Sequence, residues 1–189
     1  MNIRSISRLA VAGIMLGSCQ SRFYQIEGYA RDFAEGDTIC LATSADASHP
    51  FAIVCVNEGK FHFTGETDSI AMCLSYVKNQ PACHAEFFME PGTTTTIELN
   101  SLPKTSRISG TAINNAWQQL ADSINAYGKE MAQILRTPIK DTLSAQARTA
   151  AVDSLHRQMS DCILRTASRN KDNPLGKYIQ ANYKAPEFR

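Results

Sequence analysis

Six cysteines, at positions 19, 40, 55, 73, 83 and 162, are the side chains with the most obvious capacity for chemistry in this chain. Thiol–disulfide exchange uses a Cys-x-x-Cys pair, in which the spacing holds one thiolate beside the other sulfur. No two of these cysteines are three positions apart, so a thiol–disulfide active site is not expected. Metal binding needs three or four converging ligands, and the histidines offer no His-x-x-x-His step that would put two on one helical face. His62 and His84, with Glu86 beside the second, sit in alternating segments and are expected to face solvent, while His49 and His156 stand alone. Nucleophilic hydrolysis would show a Gly-x-Ser-x-Gly elbow and phosphate binding a glycine-rich loop, and neither pattern occurs. The run Thr93 to Thr96 reads as strand-forming β-branched residues rather than as a hydroxyl cluster. No catalytic residue, metal or cofactor is expected from these patterns.

The segments carrying those residues alternate. "FYQIEGYA" sets Tyr24, Ile26 and Gly28 against Phe23, Gln25 and Glu27, and "DTICLAT" and "FAIVCVN" follow with the turn-like "SADASHP" between them. In "NEGKFHFTGE", Glu58-Gly59 signals a hairpin turn, with Phe61 and Phe63 on one face and His62 and Thr64 on the other. "SIAMCLSYV" and "ACHAEFFM" flank a turn at residues 78–81, and Glu90-Pro91-Gly92 presets a type II turn before "TTTTIEL". Symmetric pairing about the turns would place Cys40 opposite Cys55 and Cys73 opposite Cys83. Each couple is then either a disulfide or a pair of buried thiols acting as small hydrophobes, and an irregular turn or bulge would part them. Seven or eight short strands with no helix between them argue for an antiparallel sandwich or barrel over residues 23–112.

After Gly110 the period changes. Ile113, Trp117, Leu120, Ile124, Tyr127, Met131 and Ile134 mark one amphipathic helix, with Trp117 on its core face. Pro138 ends it, and Asp141 or Thr142 can cap a second, whose stripe is Leu143, Ala147, Ala151, Leu155, Met159, Cys162 and Thr166. Asn173-Pro174 opens a short third helix with Leu175, Tyr178, Ile179 and Tyr183. The expected fold is therefore α+β, a β half followed by a helical hairpin and a short helix over residues 113–184, with a tail at 185–189.

At the other end, Arg4 and Arg8 precede an apolar run from Leu9 to Leu16, and Gly17-Ser18 supply small residues for cleavage, as in a secretory signal over residues 1–18. The run is shorter than the roughly 20 apolar residues that span a bilayer. Leu16-Gly17-Ser18-Cys19 resembles the lipobox of bacterial lipoproteins, with Gly17 where Ala or Ser is usual. That resemblance implies lipidation of Cys19, a tether over residues 19–22 and a membrane partner bound through acyl chains, each buried methylene contributing about 0.8 kcal/mol. Losing the signal removes Arg4 and Arg8 and leaves seventeen basic against eighteen acidic side chains, a balance that excludes a nucleic-acid partner. The remaining length suits one domain-sized core with an appended subdomain rather than a two-domain enzyme.

"VNEGKFHFTGE", "FFMEPGTTTTIEL" and "ISGTAINNAW" resemble, in order and spacing, the landmarks of domain-of-unknown-function family 4369, an envelope domain of Bacteroidetes lipoproteins. The resemblance runs from Phe23 to Trp117, and the tail through Tyr183 is similar to the helical linker those proteins often carry. Many relatives place a thioredoxin-like domain with Cys-x-x-Cys next; here the sequence stops at "YKAPEFR", so that domain is expected to be absent and no catalytic residue carries over. "CQSRFYQIEG" lacks the acidic run that resembles the surface-export signal of such lipoproteins, which implies an outer-membrane anchor facing the periplasm. The function expected is a non-catalytic, membrane-anchored lipoprotein that binds an envelope protein or another ligand. The alternative is an accessory, or a truncated N-terminal part, of a thioredoxin-like oxidoreductase system.

Overall fold

The computed structural model describes residues 22–183, so the signal, Cys19, the tether before Arg22 and the tail lie outside the described residues. Eight strands precede three helices: β1 Phe23–Tyr29, β2 Thr38–Thr43, β3 Ala52–Cys55, β4 Lys60–Glu66, β5 Ala71–Val77, β6 Gln80–Met89, β7 Thr94–Glu98, β8 Arg107–Ser109, α1 Ala112–Arg136, α2 Thr142–Arg169 and α3 Pro174–Asn182. The strands form two four-stranded sheets, β4-β1-β7-β8 and β3-β2-β5-β6, which do not close into a barrel. Tyr24, Ile26, Phe61, Phe63 and Ile97 of the first sheet and Ile39, Leu41, Cys73, Ala85 and Phe87 of the second belong to one buried cluster. Alternation works as expected on β1, β4 and β7, where one face supplies the core, while β2 is buried on both faces and β3 buries no residue fully.

Strand pairing departs from the expected antiparallel order once. β1 runs parallel to β7, with Gln25 opposite Thr94 and Tyr29 opposite Glu98, and antiparallel to β4 on its other side. Two cross-strand pairs fix the second register. Gly28 lies opposite Phe61, whose ring occupies the space a Cβ on Gly28 would take, and Gly65 lies opposite Tyr24 in the same relation. Each glycine is the only residue small enough to leave its aromatic partner flat against the strand.

The Glu58-Gly59 turn forms as the sequence predicts, with both residues at positive φ (52° and 69°) and paired bonds between Asn57 and Lys60. The two strands it joins do not continue as a hairpin: β3 is an edge of one sheet and β4 an edge of the other. Turn chemistry dictates the reversal, but the inward-facing Phe61 and Phe63 send β4 to the opposite layer.

The far edges of the two sheets are β6 and β8, and α1 lies across both. Thr111 caps α1, its hydroxyl accepting the Asn114 N–H at 3.1 Å, and the first two turns bury Ile113, Asn114, Trp117 and Leu120. Asn173 caps α3 and Pro174 starts it, as expected, and Leu175 and Ile179 seal the core beside Trp117. On α2 the expected stripe is buried only at Leu155; Leu143 is 75% exposed and Ala147 is exposed too. α1 beyond Leu120 and α2 before Leu155 bury no residue fully, so the stripe there is left half-covered.

Candidate functional site

One helical face does unusual work at the sheet edges. Phe88 on β6 donates its N–H to Asn114 Oδ1 (2.7 Å) and accepts from Asn114 Nδ2 at its C=O (2.9 Å). One turn on, Trp117 Nε1 donates to the Glu86 C=O (3.0 Å), and Gln118 Oε1 accepts the Ile108 N–H of β8 (2.8 Å). An open strand edge carries unpaired donors and acceptors that must be satisfied or covered. Here three side chains at i, i+3 and i+4 satisfy both edges at once.

Just beyond them the edges and the helix separate into a groove of about 310 Å3. Its walls carry His84 and Glu86 from β6, Lys104 and Ser106 from the loop before β8, and Trp117, Ala121 and Ile124 from α1, with Tyr183 after α3 at its rim. Trp117 stands edge-on to Phe88, Tyr178 and Tyr183 at 5.6–6.4 Å between centroids, a packing that holds the indole in place. Burial first, and the Glu86 carboxylate second, push the Tyr178 and Tyr183 phenols above their ordinary range. Both tyrosines are therefore neutral at physiological pH and act as hydrogen-bonding, apolar surfaces.

Ser106, His84 and Glu86 share this groove, the residue types of a hydrolytic relay, yet no hydrogen bond joins any two of them. His84 Nδ1 lies 3.0 Å from the Pro81 carbonyl, which can only accept, so the proton sits on Nδ1. Ser106 Oγ instead accepts the Asn100 N–H (3.3 Å). The arrangement lacks the nucleophile–base contact that acyl transfer needs and has the form of a recognition surface: an aromatic floor with charges of both signs around it.

Residues 24–117 match the family described as a domain of unknown function, DUF4369. This chain carries a DUF4369 domain. A search of curated proteins finds no match. The DUF4369 stretch ends at Trp117, inside α1, so it includes the β6 wall, the Lys104 loop and the indole but not Gln118, Ala121, Ile124 or Tyr183.

Within the DUF4369 domain the cysteines do not meet as symmetric pairing predicts. Cys40 lies opposite Ile53, and Cys55 opposite Thr38, because the long β2–β3 connection offsets the ladder by two residues. Cys73 lies opposite Phe87, because a bulge after Gln80 shifts the β5–β6 register, and Cys83 sits in that bulge with Sγ 3.1 Å from the Ser101 carbonyl oxygen. The five described cysteines are free thiols, and burial pushes Cys73 up to about 12. Cys162 is half-buried between α1 and α2 rather than fully buried in the seam. His62 pairs across the strand with Glu27 (3.4 Å) and His49 with Asp46 (2.9 Å), both exposed, and neither lines the groove that holds His84. Among the described residues no three His, Cys, Asp or Glu side chains gather as metal ligands do.

Sequence reasoning missed Asn114 and Lys104, and read Tyr183 only as a residue of the third helix rather than of the groove. Asn114 leaves a trace in "ISGTAINNAW": a carboxamide one residue after an apolar stripe position, on the buried side of the first turn. Lys104 leaves none, because its place depends on a loop conformation, with φ of +63°, that no pattern encodes.

Proposed function

We propose that this protein is a lipoprotein of the bacterial cell envelope, anchored through Cys19 and facing the periplasm, whose DUF4369 domain binds a partner in the groove between β6 and α1 and does so without catalysing a reaction. The groove carries the reading. It presents a fixed indole and a neutral tyrosine rim beside His84, Glu86 and Lys104, while its serine and histidine are each engaged elsewhere. Support for the anchor is the Leu16-Gly17-Ser18-Cys19 motif after an apolar run.

Two measurements test the two halves. Replacing Cys19 by Ser should abolish metabolic labelling with a fatty acid and move the protein from the membrane to the soluble fraction; unchanged partition would remove the anchor. A photo-crosslinking residue at Ala121, inside the groove, should capture a discrete partner in intact cells, while the same residue at Lys78, on the β5–β6 turn, should not. Identical products from both sites would defeat the groove as the binding surface, and a thioredoxin-fold protein captured at Ala121 would turn the reading toward an accessory of thiol–disulfide exchange.

A further inference from the structure

Antiparallel pairing alternates: residues whose N–H and C=O face one neighbour are followed by residues whose groups face the other way. On β6, Phe88 turns both groups away from β5, because Asn114 takes them. The same alternation sends the backbone groups of Glu86 and His84 to that side, opposite Leu74 and Tyr76 in the ladder. Asn114 therefore acts as one residue of a missing neighbour strand, its carboxamide exchanging the two hydrogen bonds that a peptide group of such a strand would exchange. Trp117 extends the imitation by one bond, to the Glu86 C=O. The Glu86 N–H and both groups of His84 come next along the edge, and there the helix draws back and the groove opens.

The geometry points to strand addition: the groove takes an extended polypeptide segment that pairs with the β6 edge at His84 and Glu86. This rests on the groove being the binding surface and names the class of its occupant. A peptide fits where other ligands fit less well for two reasons. The edge offers donors and acceptors at strand spacing rather than a converging cluster, and the volume of about 310 Å3 suits two or three extended residues. The indole of Trp117 and the Ala121 side chain on α1, with Ile108 of β8, give an inserted strand an apolar surface.

The probe is a phage-displayed library of random dodecapeptides panned against the full chain, followed by synthesis of the enriched peptide in native form and with single N-methyl groups walked along it. Three results are expected. The native peptide changes the fluorescence of Trp117, the chain's single tryptophan. It slows amide exchange at His84 and Glu86 at least tenfold while leaving Phe88 unchanged. N-methylation abolishes binding at alternate positions only, as a strand requires. Ala121→Trp, which fills the groove from an incompletely buried position, should abolish binding with the far-UV spectrum intact.

Binding that survives every N-methyl group, or leaves the His84 and Glu86 amides unaffected, overturns strand addition and leaves the groove reading standing. Failure to enrich any peptide, while the partner crosslinked at Ala121 still changes Trp117 fluorescence, does the same. Amides at His84 and Glu86 already slow in the chain alone would mean the edge is occupied by this chain or a second copy, and also overturns it. No response of Trp117 to peptide or to crosslinked partner overturns both readings.

Discussion

Asn114 and Ser75 are both fully buried polar residues, and their surroundings make opposite predictions for them. Asn114 holds Phe88 N–H, Phe88 C=O and Thr95 Oγ1, so Asn114→Ala strands two buried backbone groups. At roughly 1–3 kcal/mol for each orphaned group, the loss should reach about 3 kcal/mol in urea unfolding, read as a lower midpoint at unchanged slope. Ser75 Oγ has no hydrogen-bond partner, so Ser75→Ala removes a desolvated hydroxyl that gains nothing. That variant should be neutral or more stable by up to about 1 kcal/mol, and a clear destabilisation would mean an unseen partner. The thiols divide the same way by environment. With Cys73 pushed up to about 12 by burial, its thiolate is scarce at pH 8, whereas Cys55 is exposed. Alkylation at pH 8 without denaturant, followed by peptide mapping, should mark Cys55 first and spare Cys73. Equal labelling of the two would contradict the packing of β5 against Phe87.

At the scale of the element, α2 begins with a cap that has a pH signature. Asp141 accepts the Ser144 N–H at 2.7 Å, and that bond holds its carboxyl below the ordinary carboxylate range. A lowered folded value means the charged form is the one the fold favours. The cap is therefore fully effective above the unfolded value of about 3.9 and is lost as pH falls through the lower folded value. The Ser144 amide resonance should move over that acid window as the first turn frays, and Asp141→Asn should remove the titration while keeping the helix start. Caps of this kind were legible in the sequence, as were all three helices, the Pro91-Gly92 turn and the inward faces of β1 and β4. Strand partners were less so. Alternation around Tyr24 and Ile26 says which side is buried but not that Gln25 meets Thr94 in parallel, a choice made by residues some 70 positions apart. The stripe from Leu143 to Ala151 says which face of α2 is apolar but not that Leu143 and Ala147 stay exposed there. Legibility of the groove was lower still: Trp117, His84 and Glu86 were each noticed, but their convergence needs β6, β8 and α1 in place together.

For the whole molecule, the boundary of the family match and the boundary of the core differ. The match closes at Trp117, while Leu120, Leu175 and Ile179 are buried in the same cluster as Phe87 and Phe88. A chain cut after Trp117 loses the residues that cover its indole, so it should give no cooperative urea transition, whereas one spanning residues 22–183 should unfold in a single step. A sigmoidal transition from the shorter piece would show the sandwich to be self-sufficient. No helix among the described residues is long and apolar enough to cross a membrane, and the anchor proposed above lies on the N-terminal side of β1. The position of β1 then acquires a mechanical meaning. It is the first of the eight strands, yet it lies inside its sheet, clamped by seven residue pairs to β4 and five to β7. Tension drawn along the strand loads both ladders in shear, so their bonds must yield together instead of peeling one by one. A leash fastened to an edge strand would unzip its domain under load, whereas the anchor proposed at Cys19 would pull on the strand where the sheet is hardest to tear.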